Sequence, residues 1–169
     1  MAEAPAEIPV EPAERVRYVL TAVRDALGVE GEIDVEESGD EIRAEIVVPE
    51  EAADADEVGL LIGRHGQTID ALQVLCSQAA FRGTAPADRK RVTVDAAGYR
   101  ARRSEVIERQ ADIAAEEALR IGGSVDMEPM SSAERRIAHE HLRDRSEVET
   151  YSEGDEPERF VVVAPLVDA

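Results

Sequence analysis

The four residues Gly63-Arg64-His65-Gly66 have types and a spacing that could hold an anion. Two glycines without Cβ atoms permit positive φ angles and the close approach of another backbone. A helix is predicted to begin directly afterwards, and the first N–H groups of a helix attract phosphate because they lack intrahelical partners. Together with the flanking Ile62 and Gln67, the loop therefore predicts a site for a nucleic-acid backbone.

A plainer interpretation of the loop is a tight helix–turn–helix whose first glycine ends a helix. The next helix is predicted because four small or apolar residues recur on one of its faces, namely Ile69, Leu72, Cys76 and Ala79. The single cysteine lies on this face, which predicts a buried apolar residue rather than a nucleophile. Without a second cysteine no internal disulfide can form, as is usual in a reducing cytoplasm.

Arg135 and His139 form a second candidate site, four positions apart. A helix is predicted around them because Ser131 and Glu134 have the spacing of a capping box. At i and i+4 both side chains lie on one helical face, within reach of a common anion. The alternative is an arginine paired with Glu128 or another acidic neighbour, and a histidine that is simply exposed.

The remaining reactive residues argue against an enzyme. His139 and His141 point to different sides of a helix, whereas helical zinc ligands need i, i+4 spacing. The chain has no Gly-x-Ser-x-Gly elbow and no P-loop lysine after the glycine loop. We therefore predict no catalytic residue, metal, cofactor or small-molecule substrate. The enzymatic alternative, a nucleotide bound at the glycine loop, lacks a nucleophile or metal-ligand set.

Composition limits the class of protein. The chain has 169 residues, of which 43% are hydrophobic, enough for one ordinary domain or two small ones. It contains no apolar run of about 18 residues, and it does not open with a basic stretch followed by an apolar one. We therefore expect a cytoplasmic protein without a membrane partner.

Charge is distributed unevenly along the chain. The formal net charge is −19, which by itself disfavours nucleic acid. Residues 58–103, however, contain eight Lys or Arg against three Asp, a local positive excess. Because the Debye length is about 8 Å at physiological salt, a ligand in contact with this segment responds mainly to the local charge.

Hydrophobic periodicity predicts the elements that position these residues. Residues 1–12 are expected to be a disordered tail because they are rich in Pro, Ala and Glu. The predicted order up to Val94 is helix, strand, strand, helix, glycine loop, helix, strand. The predicted elements are a helix from Ala13 to Leu27, strands at Ile33–Val35 and Ile42–Val48, an acidic loop at Glu50–Glu57, a short helix at Asp56–Ile62, the helix after the loop, a turn at Gly83–Asp88 and a strand at Arg89–Val94.

The second half is predicted to contain two helices and two strands. A long helix runs from Tyr99 to Arg120, and Arg100, Arg102 and Arg103 occupy its first turn, where the helix dipole disfavours cations. They indicate either a nearby anionic ligand or pairing with the acidic strands. The apolar side of this helix is predicted from Val106, Ile107, Ile113, Ala114 and Leu119, and the strands lie at Glu147–Ser152 and Arg159–Pro165.

The first half resembles a type II KH domain in its order of elements. Two stretches around the glycine loop are similar in sequence to the KH domain of the bacterial Jag family (SpoIIIJ-associated proteins), whose members bind RNA. They are Gly59-Leu-Leu-Ile-Gly63 and Gly66-Gln-Thr-Ile-Asp-Ala-Leu-Gln73. The resemblance implies that the loop holds the backbone of single-stranded RNA. It further implies a base-facing groove that includes Ile62 and Ile69.

The second half resembles the small domain that follows the KH domain in Jag proteins, which we call the Arg-x-x-x-His domain. Thr150-x-Ser-x-Gly-x-x-Pro-x-Arg159 carries this resemblance together with the Arg135/His139 pair. It implies binding of single-stranded nucleic acid by Arg135 and His139, with Arg136 and Arg159 assisting. Many Jag proteins have a further N-terminal domain, which is expected to be absent here.

The sequence therefore predicts an α+β chain with a type II KH domain (αββααβ) at residues 13–97. An Arg-x-x-x-His domain follows at residues 98–169 and includes the connecting helix. The predicted function is non-catalytic binding of single-stranded RNA, and the resemblance implies a process such as control of cell shape or division. The alternative is an acidic interaction module that pairs with another KH-domain protein.

Overall fold

A computed structural model describes residues 8–49 and 56–166 and separates the chain into two compact units after Tyr99. Each unit combines helices with a three-stranded sheet, so the predicted α+β class is confirmed. The predicted disordered tail falls largely on residues 1–7, and most of the predicted acidic loop falls on residues 50–55. These two segments lie outside the described residues.

The described residues of the first unit form three helices and three strands in the predicted order. Its first helix begins at Pro12, one residue before the predicted start, because the fixed φ of proline suits the first turn. It ends at Gly28, whose φ of 70° is left-handed. The elements are α1 (Pro12–Leu27), β1 (Glu32–Ser38), β2 (Glu41–Val47), α2 (Asp56–Ile62), α3 (Gln67–Ala80) and β3 (Arg91–Ala96), with 3₁₀ turns at Arg64–Gly66 and Pro86–Asp88.

The sheet of the first unit has the order β1-β2-β3. β1 and β2 form an antiparallel hairpin, whereas β2 and β3 run parallel. The parallel register pairs Ile42 with Val92 and Ala44 with Val94, which aligns buried residues across the sheet.

Cys76 of α3 packs in the hydrophobic core that these strand residues form and is fully buried. Burial raises the pKa of its thiol to about 12. The prediction of a buried cysteine is confirmed.

The second unit contains two helices and a sheet of order β4-β6-β5, in which both neighbouring pairs are antiparallel. β4 was not predicted, because two residues are too few to show the alternation of a strand. The other elements lie within two residues of their predicted bounds. They are α4 (Tyr99–Ile121), β4 (Val125–Asp126), α5 (Ser132–Leu142), β5 (Val148–Glu153) and β6 (Phe160–Pro165).

The buried side of α4 agrees with the predicted one at Ile107 and Ala114 and differs from it elsewhere. Ile113 and Leu119 were expected on the apolar side, but they are 66% and 42% exposed. The buried stripe instead consists mostly of alanines, whose small side chains allow neighbouring elements to approach the helix closely. It comprises Ile107, Ala111, Ala114, Ala115 and Ala118.

Candidate nucleic-acid interface

The glycine loop has a backbone conformation that requires glycine. Gly63 has φ 72° and ψ 176°, a region that other residues rarely occupy. A Cβ atom on Gly63 would lie 2.1 Å from Thr68 Oγ1, and one on Gly66 would lie 3.0 Å from Tyr99 Cε1. Both glycines are therefore needed to form the turn itself, whether or not a ligand is bound.

Several loop amides already have acceptors within the loop. The N–H of Gly63 donates to Gly59 O at 2.8 Å, and that of Gly66 donates to Gly63 O at 3.3 Å. The N–H of Gln67 donates to Arg64 O. Among the described residues no side chain caps the start of α3, and the first N–H groups of a helix generally lack intrahelical acceptors. Anion binding by the backbone is therefore expected at the start of α3 rather than along the whole loop.

The side chains of the loop differ in exposure. Arg64 and Gln67 are exposed, Ile62 and His65 are partly buried, and Gly66 is buried. Within the described part of the chain, Arg64 has neither an ion pair nor a side-chain hydrogen bond. Its charge is therefore available to an anion that approaches the start of α3.

The predicted base-facing groove needs a correction. Ile69 is 1% exposed and belongs to the core, so its assignment to the groove was wrong. Leu60, which the prediction did not assign a role, is 56% exposed on α2, whose Val58 and Leu61 face the core. The helical period could have revealed this, since inward positions 58 and 61 leave position 60 outside.

Part of the positive excess in the middle of the chain is neutralised internally. Lys90 Nζ lies 2.6 Å from Glu37 Oε1 on the acidic β1 strand. Arg103 Nε lies 2.7 Å from Glu134 Oε1, and both of these side chains are largely buried. For this cluster of arginines, the two alternatives were an anionic ligand and pairing with the acidic strands. Arg103 is paired within the chain, but its partner lies on α5 and not on an acidic strand.

The start of α5 is fixed by the predicted capping box. Glu134 N–H donates to Ser131 Oγ at 3.3 Å, and Ser131 N–H donates to Glu134 Oε2 at 2.8 Å. The other carboxylate oxygen of Glu134 receives the hydrogen bond from Arg103. These contacts attach the first turn of α5 to α4 and set the orientation of the candidate residues Arg135 and His139.

Arg135 is held by partners on both of its terminal nitrogens. Nη1 donates to Met130 O at 2.8 Å, and Nη2 lies 2.7 Å from Glu156 Oε1. The side chain of Arg135 is only 9% exposed, whereas that of Glu156 is 58% exposed. The alternative of an acidic partner for Arg135 is thus found, but the partner is Glu156 and not Glu128.

His139 lies in contact with two hydroxyl groups of β5. Its Nδ1 is 2.7 Å from Thr150 Oγ1, and its Nε2 is 3.1 Å from Ser152 Oγ. Thr150 and Ser152 are two positions apart and therefore lie on one face of the strand. Burial, reinforced by the nearby positive charge of Arg135, lowers the pKa of His139 from its ordinary 6.5. The imidazole is accordingly neutral at pH 7 and acts there as a hydrogen-bonding group.

The two assisting arginines have different surroundings. Arg136 is exposed, and its Nε lies 3.0 Å from Glu140 Oε1. Arg159 has a buried Nε that finds no acceptor among the described residues. Its carbonyl oxygen accepts from Met130 N–H at 3.1 Å, so Arg159 and Arg135 both contact the backbone of Met130. The structure thus places Arg135 near His139 and the backbone of Arg159 beside Met130, and it leaves Arg136 exposed on α5.

Neither a metal cluster nor a membrane-spanning helix is found among the described residues. Across residues 8–49 and 56–166, no group of three or more His, Cys, Asp or Glu side chains could hold a metal ion. None of the helices in these ranges has both the length and the apolar character needed to cross a bilayer.

A helix–glycine turn–helix on a three-stranded sheet, followed by a helix that presents an Arg/His pair to a second sheet, defines two known domain types. Residues 13–95 match the family model of the KhpA/KhpB KH domain. Residues 105–165 match the model of the domain family that is named for an arginine and a histidine separated by three residues, which is the Arg-x-x-x-His domain. Curated relatives over both regions are named RNA-binding protein KhpB, and the chain belongs to this family.

Three relatives give the extent of the similarity. The protein from Bacillus subtilis (strain 168) is 32% identical over 92% of this chain and 71% of its own length. That from Clostridium symbiosum is 37% identical over 86% of this chain and 62% of its own. That from Lactiplantibacillus plantarum is 36% identical over 87% of this chain and only 42% of its own. The chain thus spans from under half to about 70% of the length of these relatives.

Proposed function

We propose that this chain binds single-stranded RNA in the cytoplasm without catalysing a reaction. Relatives named as RNA-binding proteins and the presence of KH and Arg-x-x-x-His domains support a non-enzymatic, nucleic-acid-binding role. The proposed KH domain comprises residues 13–97, and the second domain comprises residues 98–169. Control of cell shape or division is the proposed process.

In the KH domain, one phosphate of the RNA backbone would bind at the start of α3. The observation that carries this assignment is the exposed Arg64, which has no partner in the described chain and stands before a helix start without a side-chain cap. His65 and Gln67 flank the same position. Leu60 and Ile62 on α2 would contact the unpaired bases, since KH domains receive bases against an aliphatic surface.

In the second domain, the cations would have different roles. Arg135 is neutralised by Glu156 and would orient the site, whereas Arg159, whose side chain is partly exposed, would contact phosphate. His139 would contribute hydrogen bonds, and Arg136 would add charge at the rim. Two weak sites on one chain bind a strand more tightly than either alone if the strand reaches both.

Reversal of the loop charge tests the KH assignment. The double variant Arg64→Asp, His65→Asp replaces the cationic turn by acids, and Asp suits the left-handed φ of 52° at His65. We expect the affinity for a fluorescein-labelled single-stranded RNA to fall at least about tenfold in an anisotropy titration.

The matched control is Arg82→Asp, which changes an exposed arginine elsewhere in the first unit. It should retain most of the affinity, and both proteins should keep the wild-type circular dichroism spectrum. Equal affinity of the loop variant and the wild type would contradict the assignment.

Pairing with another KH-domain protein is the second candidate function. Exposed aliphatic side chains on the first unit favour it, since Leu60, Val74 and Leu75 are all more than half exposed. A pull-down with and without nuclease separates the two functions. Recovery of a KH-domain partner after nuclease treatment would support direct pairing, and its loss would indicate bridging by RNA.

A further inference from the structure

A groove in the second unit lies between α4 and the segment that begins with β4. Its floor is apolar and is formed by Ile113 and Ala114 of α4 together with Val125 and Met127. Ile113 is 66% exposed, although the adjacent Ala114 is only 6% exposed. The groove is separate from the residues assigned to RNA above, and its apolar floor could receive an aliphatic side chain.

One wall of this groove is the edge of a sheet. In the order β4-β6-β5, β4 has a strand neighbour on one side only among the described residues. Met127 N–H donates to Val161 O at 2.8 Å, and Asp126 is paired in register with Val162. Because backbone groups alternate in direction along a strand, those of Asp126 and Glu128 point away from β6. This edge can therefore pair with a further extended chain.

The rim of the groove is acidic. Glu117, Asp126 and Glu128 line it, and no Lys or Arg of the described residues does so. Glu117 is bound by Arg120 at 2.5 Å, but Asp126 and Glu128 have no ion pair in the described part of the chain. The uncompensated charge on the strand side repels phosphate and attracts cationic side chains.

We propose that this groove binds an extended segment of a partner protein, which adds to β4 as a strand. The segment would place one aliphatic side chain on the floor formed by Ile113 and Met127, and Lys or Arg residues on either side of it would face Asp126 and Glu128. Strand addition supplies affinity through backbone hydrogen bonds, and the side-chain pockets supply selectivity. This proposal is independent of RNA binding by the glycine loop.

Labelled peptides test the proposal with the full chain. Each peptide has about ten residues, with a central Val-x-Leu, Val-x-Ile or Val-x-Phe segment and two Lys or Arg on each side. We expect measurable binding of the peptide to the wild-type chain by anisotropy. The affinity should fall at least about tenfold for Ile113→Gln and for the double variant Asp126→Lys, Glu128→Lys. The amide protons of Asp126 and Glu128 should exchange more slowly with peptide bound.

The control separates a site from general attraction to an acidic protein. Glu149→Lys with Glu153→Lys makes the same change in net charge on the exposed strand β5. It should leave peptide binding nearly unchanged. Equal losses in both charge variants, no effect of Ile113→Gln, or no binding by any of the peptides would overturn the proposal. Binding of labelled RNA in the groove in place of peptide would also overturn the proposal.

Discussion

Single residues of the glycine loop combine a conformational and a packing requirement. Gly63 occupies a region of φ and ψ that is almost restricted to glycine, and Thr68 fills the space where its Cβ would be. Gly28 also has a positive φ of 70°, but nothing lies within 4 Å of the Cβ position. The two glycines therefore differ both in backbone strain and in the room that is left for a Cβ atom.

We predict that Gly63→Ala destabilises the first unit more than Gly28→Ala does. The change at Gly28 should lower the free energy of unfolding by about 1 kcal/mol, because alanine is strained at positive φ. The change at Gly63 should cost about 3 kcal/mol or more, because the strain is greater and the new methyl group overlaps Thr68. Urea unfolding followed by circular dichroism measures both, and equal losses would show that the loop rearranges to admit the methyl group.

At the second site, neighbours in space decide what each residue can do. The spacing of Arg135 and His139 predicted one helical face, and both side chains do reach contacts at one side of the sheet. Their partners on β5 and in the following loop could not be assigned from spacing, since they lie 11 to 21 positions further along the chain. These partners hold the Arg135 guanidinium and the His139 ring in place, while burial and the nearby charge of Arg135 lower the pKa of His139.

At the scale of elements, one ion pair connects α5 with the loop between β5 and β6. Removing the carboxylate with Glu156→Gln leaves the mostly buried Arg135 without its counter-ion. We predict a loss of about 1 kcal/mol in the free energy of unfolding, moderated by the exposure of Glu156 to solvent. RNA affinity should not increase, because Arg135 orients the site and does not itself hold phosphate in this assignment.

Glu158→Gln is the matched control, since it removes a carboxylate from the same exposed loop. Chemical denaturation and RNA anisotropy on the two variants complete the comparison. Tighter RNA binding by Glu156→Gln alone would mean that this carboxylate competes with phosphate, and that Arg135 contacts the ligand directly.

The sequence predicted the elements in which a hydrophobic period extends over many residues. It missed the two-residue strand β4, which is too short to show a period. The long helices and the hairpin of the first unit follow clear 3.6-residue or two-residue patterns, and their bounds were found within a few residues. α4 was located correctly, but its buried face was predicted only in part. Ile107 and Ala114 are buried as predicted, whereas Ile113 and Leu119 are exposed and further alanines take their place in the buried stripe.

At the scale of the whole molecule, a net charge of −19 limits how RNA can be held. Several cations of the basic middle segment are already paired, and the acidic remainder opposes a long phosphate track. Contacts with about three phosphates would give a slope near −2 for log affinity against log salt on a single strand.

We predict such a shallow slope for the full chain between low and physiological salt. The Arg64→Asp, His65→Asp variant should have a still smaller slope, because it loses a phosphate contact. Anisotropy titrations at several salt concentrations measure both. A slope steeper than about −5 would require a basic surface larger than these residues provide.

Taken by itself, the sequence determined the fold class, the order of the elements other than β4, the glycine loop and the Arg/His pair. These depend on local periodicity, capping and motif spacing, all of which act over a few residues. Tertiary structure alone decided that Glu156 neutralises Arg135, that Ile113 is exposed on α4, and that β4 leaves an open edge beside Ile113 among the described residues. The reason is that pairing and burial depend on residues far apart in the chain, whose positions follow from packing and not from local pattern.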